Sequence, residues 1–101
     1  VPNSDPHMQI ARKIRSIETA KIELLQQAAE IYKSLQTGSE RELAHSIGGI
    51  VAIAYFIGKQ MGVPLESIDR EALTSLPKTL SQHALDVADY ESVQRYLASK
   101  R

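Results

Sequence analysis

A chain of 101 residues fits one domain. At that size only about two thirds of the unfolded surface can be buried, so one modest core is all it supports. Twelve basic residues balance twelve acidic ones, which removes any global attraction to nucleic acid or an anionic membrane. The absence of cysteine excludes disulfides, thiolate catalysis and cysteine-bound zinc.

No apolar run approaches the roughly 20 residues needed to span a bilayer, and no secretory leader pattern opens the chain. The expectation is a cytoplasmic protein. Residues 1–8 are polar, contain Pro2 and Pro6, and end in His7-Met8, the dipeptide a common cloning junction encodes. They read as a tag remnant or a disordered N-terminus, and 9–101 as a single α-helical domain.

From Ile10 the apolar positions are Ile10, Ile14, Ile17, Leu24, Ala28, Ile31 and Leu35. Their steps alternate between four and three, with Lys21 in the missing place, which is a helix stripe of coiled-coil type. This predicts one long helix over about 9–36. Gly38 suits the left-handed position that ends a helix. Ser39 followed by Glu42 has the spacing of a capping box.

The second helix is expected over about 40–61, antiparallel to the first. Leu43, Ile47, Ile50, Ala54, Ile57 and Met61 continue the four-three pattern, and no charged residue occurs from Ile47 to Gly58. A helix apolar on every side must be covered on every side. A second copy of the chain is therefore expected to help bury it, as a homodimer or homotetramer, with Ile47, Ile50, Ile53, Ala54, Phe56 and Ile57 at the interface. Ala44, Gly48 and Ala52, spaced by four, form a ridge of small residues suited to close helix approach. Gly62 ends the helix, and Pro64 suits the start of a third over about 65–76. Pro77 marks the next boundary. Residues 78–86 are expected to form a short turn, and Asp86 or Asp89 to cap a last helix reaching about 99. The fold class is all-α: a bundle of two long antiparallel helices and two short C-terminal ones.

The run from Glu42-Leu43-Ala44 to Met61-Gly62-Val63-Pro64-Leu65-Glu66-Ser67-Ile68 resembles the MazG-like nucleotide pyrophosphohydrolase family. So does the closing stretch from Asp89-Tyr90-Glu91 to Arg95-Tyr96-Leu97. The resemblance implies an all-α fold whose chemistry lives in Glu-x-x-Glu on the first long helix and Glu-x-x-Asp on the second. Carboxylates three apart share a helix face. Four of them around a cleft can hold Mg²⁺ against a triphosphate.

Aligned on Gly62, the second motif falls on Ser46-Ile47-Gly48-Gly49, which has neither acid. The first falls on Glu23-Leu24-Leu25-Gln26 or Gln27-Ala28-Ala29-Glu30, each with one acid and one amide. The resemblance thus implies the fold, while the departures point to a non-catalytic interaction or regulatory module with no cofactor. The alternative is a nucleoside triphosphate pyrophosphohydrolase that binds Mg²⁺ and nucleotide through a rearranged site of Glu23, Glu30 and Glu42.

Three other patterns compete. Gly58, Gly62, Val63 and Ile68 have helix-turn-helix spacing, but the third helix would offer Glu66, Asp69 and Glu71 against one Arg70, which phosphate repels. Arg12, Lys13 and Arg15 form a small basic cluster that reads as a solvated face. Glu42-x-x-His45, with Glu30 approaching, is half of a carboxylate-bridged metal pattern; those three are the candidate metal ligands. His45 lies away from the apolar stripe and is expected to be exposed.

Overall fold

A computed structural model describes residues 6–100 of the chain. Four α-helices follow in order: α1 (Pro6–Thr37), α2 (Glu40–Gln60), α3 (Leu65–Ser75) and α4 (Ala84–Ser99), with a 3₁₀ turn at Lys78–Ser81 before the last. The all-α reading holds, and no strand occurs among the described residues. The described residues divide into two compact units, one ending at Gly62 and the other beginning at Val63.

In the first unit α1 and α2 pack against each other as an antiparallel hairpin. Gly38 turns the chain at φ 72° and donates its N–H to the Ser34 carbonyl at 2.9 Å. Thr37 Oγ1 donates to the same carbonyl at 3.1 Å, so the end of α1 is doubly closed. Ser39 caps α2, its Oγ accepting from the Glu42 N–H at 3.2 Å. The other half of the expected capping box is replaced: the Ser39 N–H donates to Thr37 Oγ1 at 3.4 Å.

A Cβ at Gly38 would meet nothing within 4 Å, so the demand for glycine there is conformational rather than steric. Gly38→Ala should lower the unfolding free energy by about 1 kcal/mol, read from the urea midpoint, because a side chain disfavours the left-handed region.

α1 takes in Pro6, His7 and Met8 as its first turn, ahead of the start near residue 9 expected from the apolar stripe. Proline tolerates that position because a first-turn N–H has no helical partner. Residues 1–5 of the expected N-terminal extension lie outside the described residues. With the turn at Gly38, the 21 residues of α2 run back beside the C-terminal part of α1, and the start of α1 extends past the end of α2.

The seam between the helices differs from the stripe read in the sequence. Ile17, Leu24 and Ile31 are half-buried, as expected, but their partners in the seam are Ala20, Gln27 and Ser34, also seven apart. Ile10, Ile14 and Leu35 are exposed. On α2 the seam is Leu43, Ser46, Ile50, Ile53 and Ile57. Ser34 and Ser46 are buried, and Ala20 is the one buried apolar side chain among the described residues. Small and polar side chains therefore occupy half of the inner positions on α1, while large apolar ones such as Ile14, Leu25, Tyr32 and Leu35 are left exposed on its outside.

In the second unit Pro64 precedes α3, and its carbonyl accepts from the N–H groups of Ser67 and Ile68 at 3.0 and 3.3 Å. Gly62, at φ 79°, supplies the turn before it. Tyr90 on α4 donates its hydroxyl to the Leu76 carbonyl at 3.0 Å, closing the end of α3. Lys100 and Asp69 form an ion pair at 3.8 Å. The residue capping α4 is His83, and not Asp86 or Asp89 as expected. Its carbonyl accepts from the Asp86 N–H at 2.9 Å. Asp86 thus sits in the first turn, where its charge favours the positive end of the helix. Ile68, Leu73, Leu76, Tyr90 and Leu97 are half-buried, whereas Leu65, Ala72 and Val93 are exposed.

Candidate functional site

Gln27 of α1 lies against Gly49 of α2. A Cβ at Gly49 would stand 3.0 Å from Gln27 Oε1 and 3.1 Å from Cδ, closer than ordinary contact. The absent side chain is thus the space that the amide fills. Gln27 Oε1 is itself buried and accepts no hydrogen bond. Ser46, three residues before Gly49 and therefore on the same helix face, is only 4% exposed. The positions where the resemblance expects carboxylates are therefore the inner wall of the hairpin, occupied by an amide, a hydroxyl and no side chain.

Helical spacing surrounds this spot with the candidate acids. Glu23 and Glu30 lie four before and three after Gln27; Glu42 and His45 lie four before Ser46 and Gly49 respectively. Neighbours at those spacings share a face, so one flank of the hairpin carries Glu23, Glu30, Glu42 and His45. All four side chains are exposed. They are not drawn together: among the described residues no three of His, Cys, Asp or Glu gather closely enough to hold a metal ion. The candidate metal set Glu30, Glu42 and His45 is thus on one flank without forming a cluster within the chain.

The inner residues do not fit a divalent cation. Such an ion takes several oxygen ligands, carboxylates foremost. Here the inner wall offers a neutral amide packed on Gly49 and the hydroxyls of the buried Ser34 and Ser46, none of them charged.

The proposed interface residues separate into two sets. Ile50, Ile53 and Ile57 belong to the seam with α1 and are half-buried. Ile47, Ala54 and Phe56 are exposed. The small-residue ridge of Ala44, Gly48 and Ala52 is exposed too, and a Cβ at Gly48 would meet nothing within 4 Å.

Elsewhere, Arg12, Lys13 and Arg15 stand exposed on the first turns of α1. On α3 the Arg70 guanidinium donates to Ser67 Oγ at 3.2 Å, directed along its own helix. Leu76, Leu80, Tyr90 and Val93 line an open groove in the second unit, with Asp86 and Asp89 beside them. No helix among the described residues is long and apolar enough to cross a membrane.

Sequence reasoning located Ser46 and Gly49 but missed Gln27 as the residue that meets them. The signal was present: Ala20, Gln27 and Ser34 repeat at seven, the same interval as Ile17, Leu24 and Ile31. A polar residue in such a series carries no hydrophobic signal, and the apolar stripe beside it is longer.

These features define an all-α domain built on a long helical hairpin with an altered inner wall. The chain belongs to the MazG-like family, whose model matches residues 10–95. No curated protein and no solved structure matches it.

Proposed function

We propose that this MazG-like domain does not hydrolyse nucleotides and acts as an interaction or regulatory module. The observation that carries this is Gln27 packed on Gly49 beside buried Ser46. Carboxylates that could neutralise and position a metal–triphosphate complex are replaced there by neutral groups. An amide holds none of the negative charge that such chemistry requires. The fold is retained without the site, which is a common divergence between architecture and activity.

The test is pyrophosphate release from a panel of ribo- and deoxyribonucleoside triphosphates with Mg²⁺ or Mn²⁺. The expected result is no turnover above the protein-free rate. Turnover that Glu30→Gln abolishes would replace this reading with a hydrolase using Glu23, Glu30 and Glu42, which share the exposed flank.

A further inference from the structure

Asp86, Asp89, Tyr90 and Val93 recur on α4 at helical spacing and therefore share one face. That face is one wall of the groove in the second unit, and Leu76 and Leu80 stand on the other side. The groove is held open by hydrogen bonds. The Tyr90 hydroxyl ties α4 to the Leu76 carbonyl at 3.0 Å. The Leu80 N–H donates to the Pro77 carbonyl at 3.0 Å, and the Ser81 hydroxyl to the Lys78 carbonyl at 2.8 Å. These bonds form the groove before anything enters it, which lowers the ordering cost of binding.

Its apolar walls are open to water. Leu80 is 55% exposed and Val93 45%, and no side chain in the second unit is buried among the described residues. Two carboxylates stand beside those apolar groups, and no basic side chain lines the groove. Neither the Asp86 nor the Asp89 side chain has a partner among the described residues; the ion pair of this unit joins Lys100 to Asp69 instead. Asp86 is accounted for by its place in the first turn of α4. Asp89 lies a turn further on, beyond the reach of the helix dipole, so nothing local favours its charge.

We propose that this groove is the docking site for a segment of another protein that carries a large apolar side chain beside lysine or arginine. The apolar side chain covers Leu80 and Val93, and the cation meets Asp86 and Asp89. Charge selects the occupant. An acidic or purely apolar segment would take water from the two carboxylates and return no partner, which is unfavourable. The face from Asp86 to Val93 spans about two helical turns, roughly 10 Å. That is room for a short segment, as in the docking of one helix into a groove, and the affinity expected of so small a contact is micromolar. The inference adds a surface to the interaction-module reading without depending on it. Turnover in the pyrophosphate assay would remove that reading and leave the groove untouched.

The test is fluorescence anisotropy of a labelled synthetic amphipathic helix of leucine and lysine, titrated with the full chain at low salt. A leucine–glutamate helix of the same pattern is the control. The lysine peptide should bind with a micromolar Kd that weakens as salt is raised, and the glutamate peptide should not bind. Asp86→Asn combined with Asp89→Asn should weaken binding roughly fivefold, the scale of two exposed charge pairs, and flatten the salt dependence. Leu80→Gln should weaken it roughly tenfold, as expected of a central apolar contact. Glu91→Gln, an exposed position on the other side of α4, should leave the Kd unchanged.

No binding by the unsubstituted protein overturns the proposal, whether the groove is bare or covered by the rest of the chain. Equal binding of the glutamate peptide also overturns it. So does a loss with Glu91→Gln as large as that with the aspartate pair, or binding that neither groove variant weakens, which would place the peptide elsewhere. Should Leu80→Gln lose helicity, the aspartate-to-asparagine pair decides alone, because it changes charge while keeping size and shape.

Discussion

Ser46→Glu should cost about 3 kcal/mol of folding stability at pH 7, and the loss should shrink as the solution is acidified. Ser46 is 4% exposed in the seam between α1 and α2. A carboxylate there loses water, and the residues that share its helix face, Glu42, Gly49 and Ile50, offer no cation. Burying an unpaired charge costs several kcal/mol before relaxation, and part of that is avoided if the group stays protonated.

Desolvation raises the folded-state pKa of the new carboxyl above its ordinary value near ~4.3. Below the unfolded-state value the group is neutral in both states, and the charge penalty vanishes. Above the folded-state value it is charged in both, and the full penalty applies. Stability of Ser46→Glu relative to the parent should therefore fall as pH rises from about 4 toward 7. Urea unfolding at pH 4.5 and pH 7 reads it directly. A difference between variant and parent that stays constant across that range would show that the new side chain reaches water, and that the inner wall is wider than the structure has it.

The second large effect has the opposite sign. Gln27→Met should stabilise the protein by about 1–2 kcal/mol. Gln27 Oε1 is buried without a hydrogen-bond partner, and an unsatisfied buried acceptor costs about that much. Methionine has nearly the same length and flexibility, and its thioether needs no partner. The notch left by Gly49 accommodates it as it accommodates the amide. The measurement is the shift in urea midpoint at constant slope. A destabilised Gln27→Met would mean that the amide makes a bond worth more than the burial of its oxygen costs, and would point to a role for Gln27 in holding something against Gly49.

The hairpin was legible in the sequence because its signals are local. The four-three spacing of apolar residues, the left-handed Gly38 and the Ser39 cap each depend on a few neighbouring positions. The end of α2 and the start of α3 followed from Gly62 and Pro64 in the same way. What could not be read was the rotation of α1 about its own axis. Its apolar stripe is wide, running through Ile17 and Leu24 on one side and Leu25 and Tyr32 on the other, and periodicity alone does not say which side meets α2. The partner helix decides. Gly49 and Ser46 leave room on α2, and the small or polar series Ala20, Gln27 and Ser34 turns toward it.

The same ambiguity spread the interface residues over two faces of α2. The start of α4 was misplaced for a different reason. His83 caps through its backbone alone, and a cap without a side-chain acceptor leaves no mark in a sequence. At the candidate site, the loss of acids at Ser46 and Gly49 was visible from the resemblance. The filling of the space by Gln27 was not, because it depends on the register of two helices.

The unequal lengths of α1 and α2 imply a gradient in amide exchange along α1. From about Ile17 to Ser34 each turn of α1 has α2 beside it, and opening one of its hydrogen bonds means parting the hairpin. From Pro6 to Arg15 every side chain but Ala11 is exposed, so those turns can fray without disturbing the seam. Deuterium should enter the first ten or so residues of the helix at rates close to those of an isolated peptide and enter the central turns far more slowly, with the step falling between Arg15 and Ala20. A ligand or copy that docks onto the basic first turns at Arg12, Lys13 and Arg15 would move that step toward the N-terminus, so the position of the step reports which part of α1 is engaged.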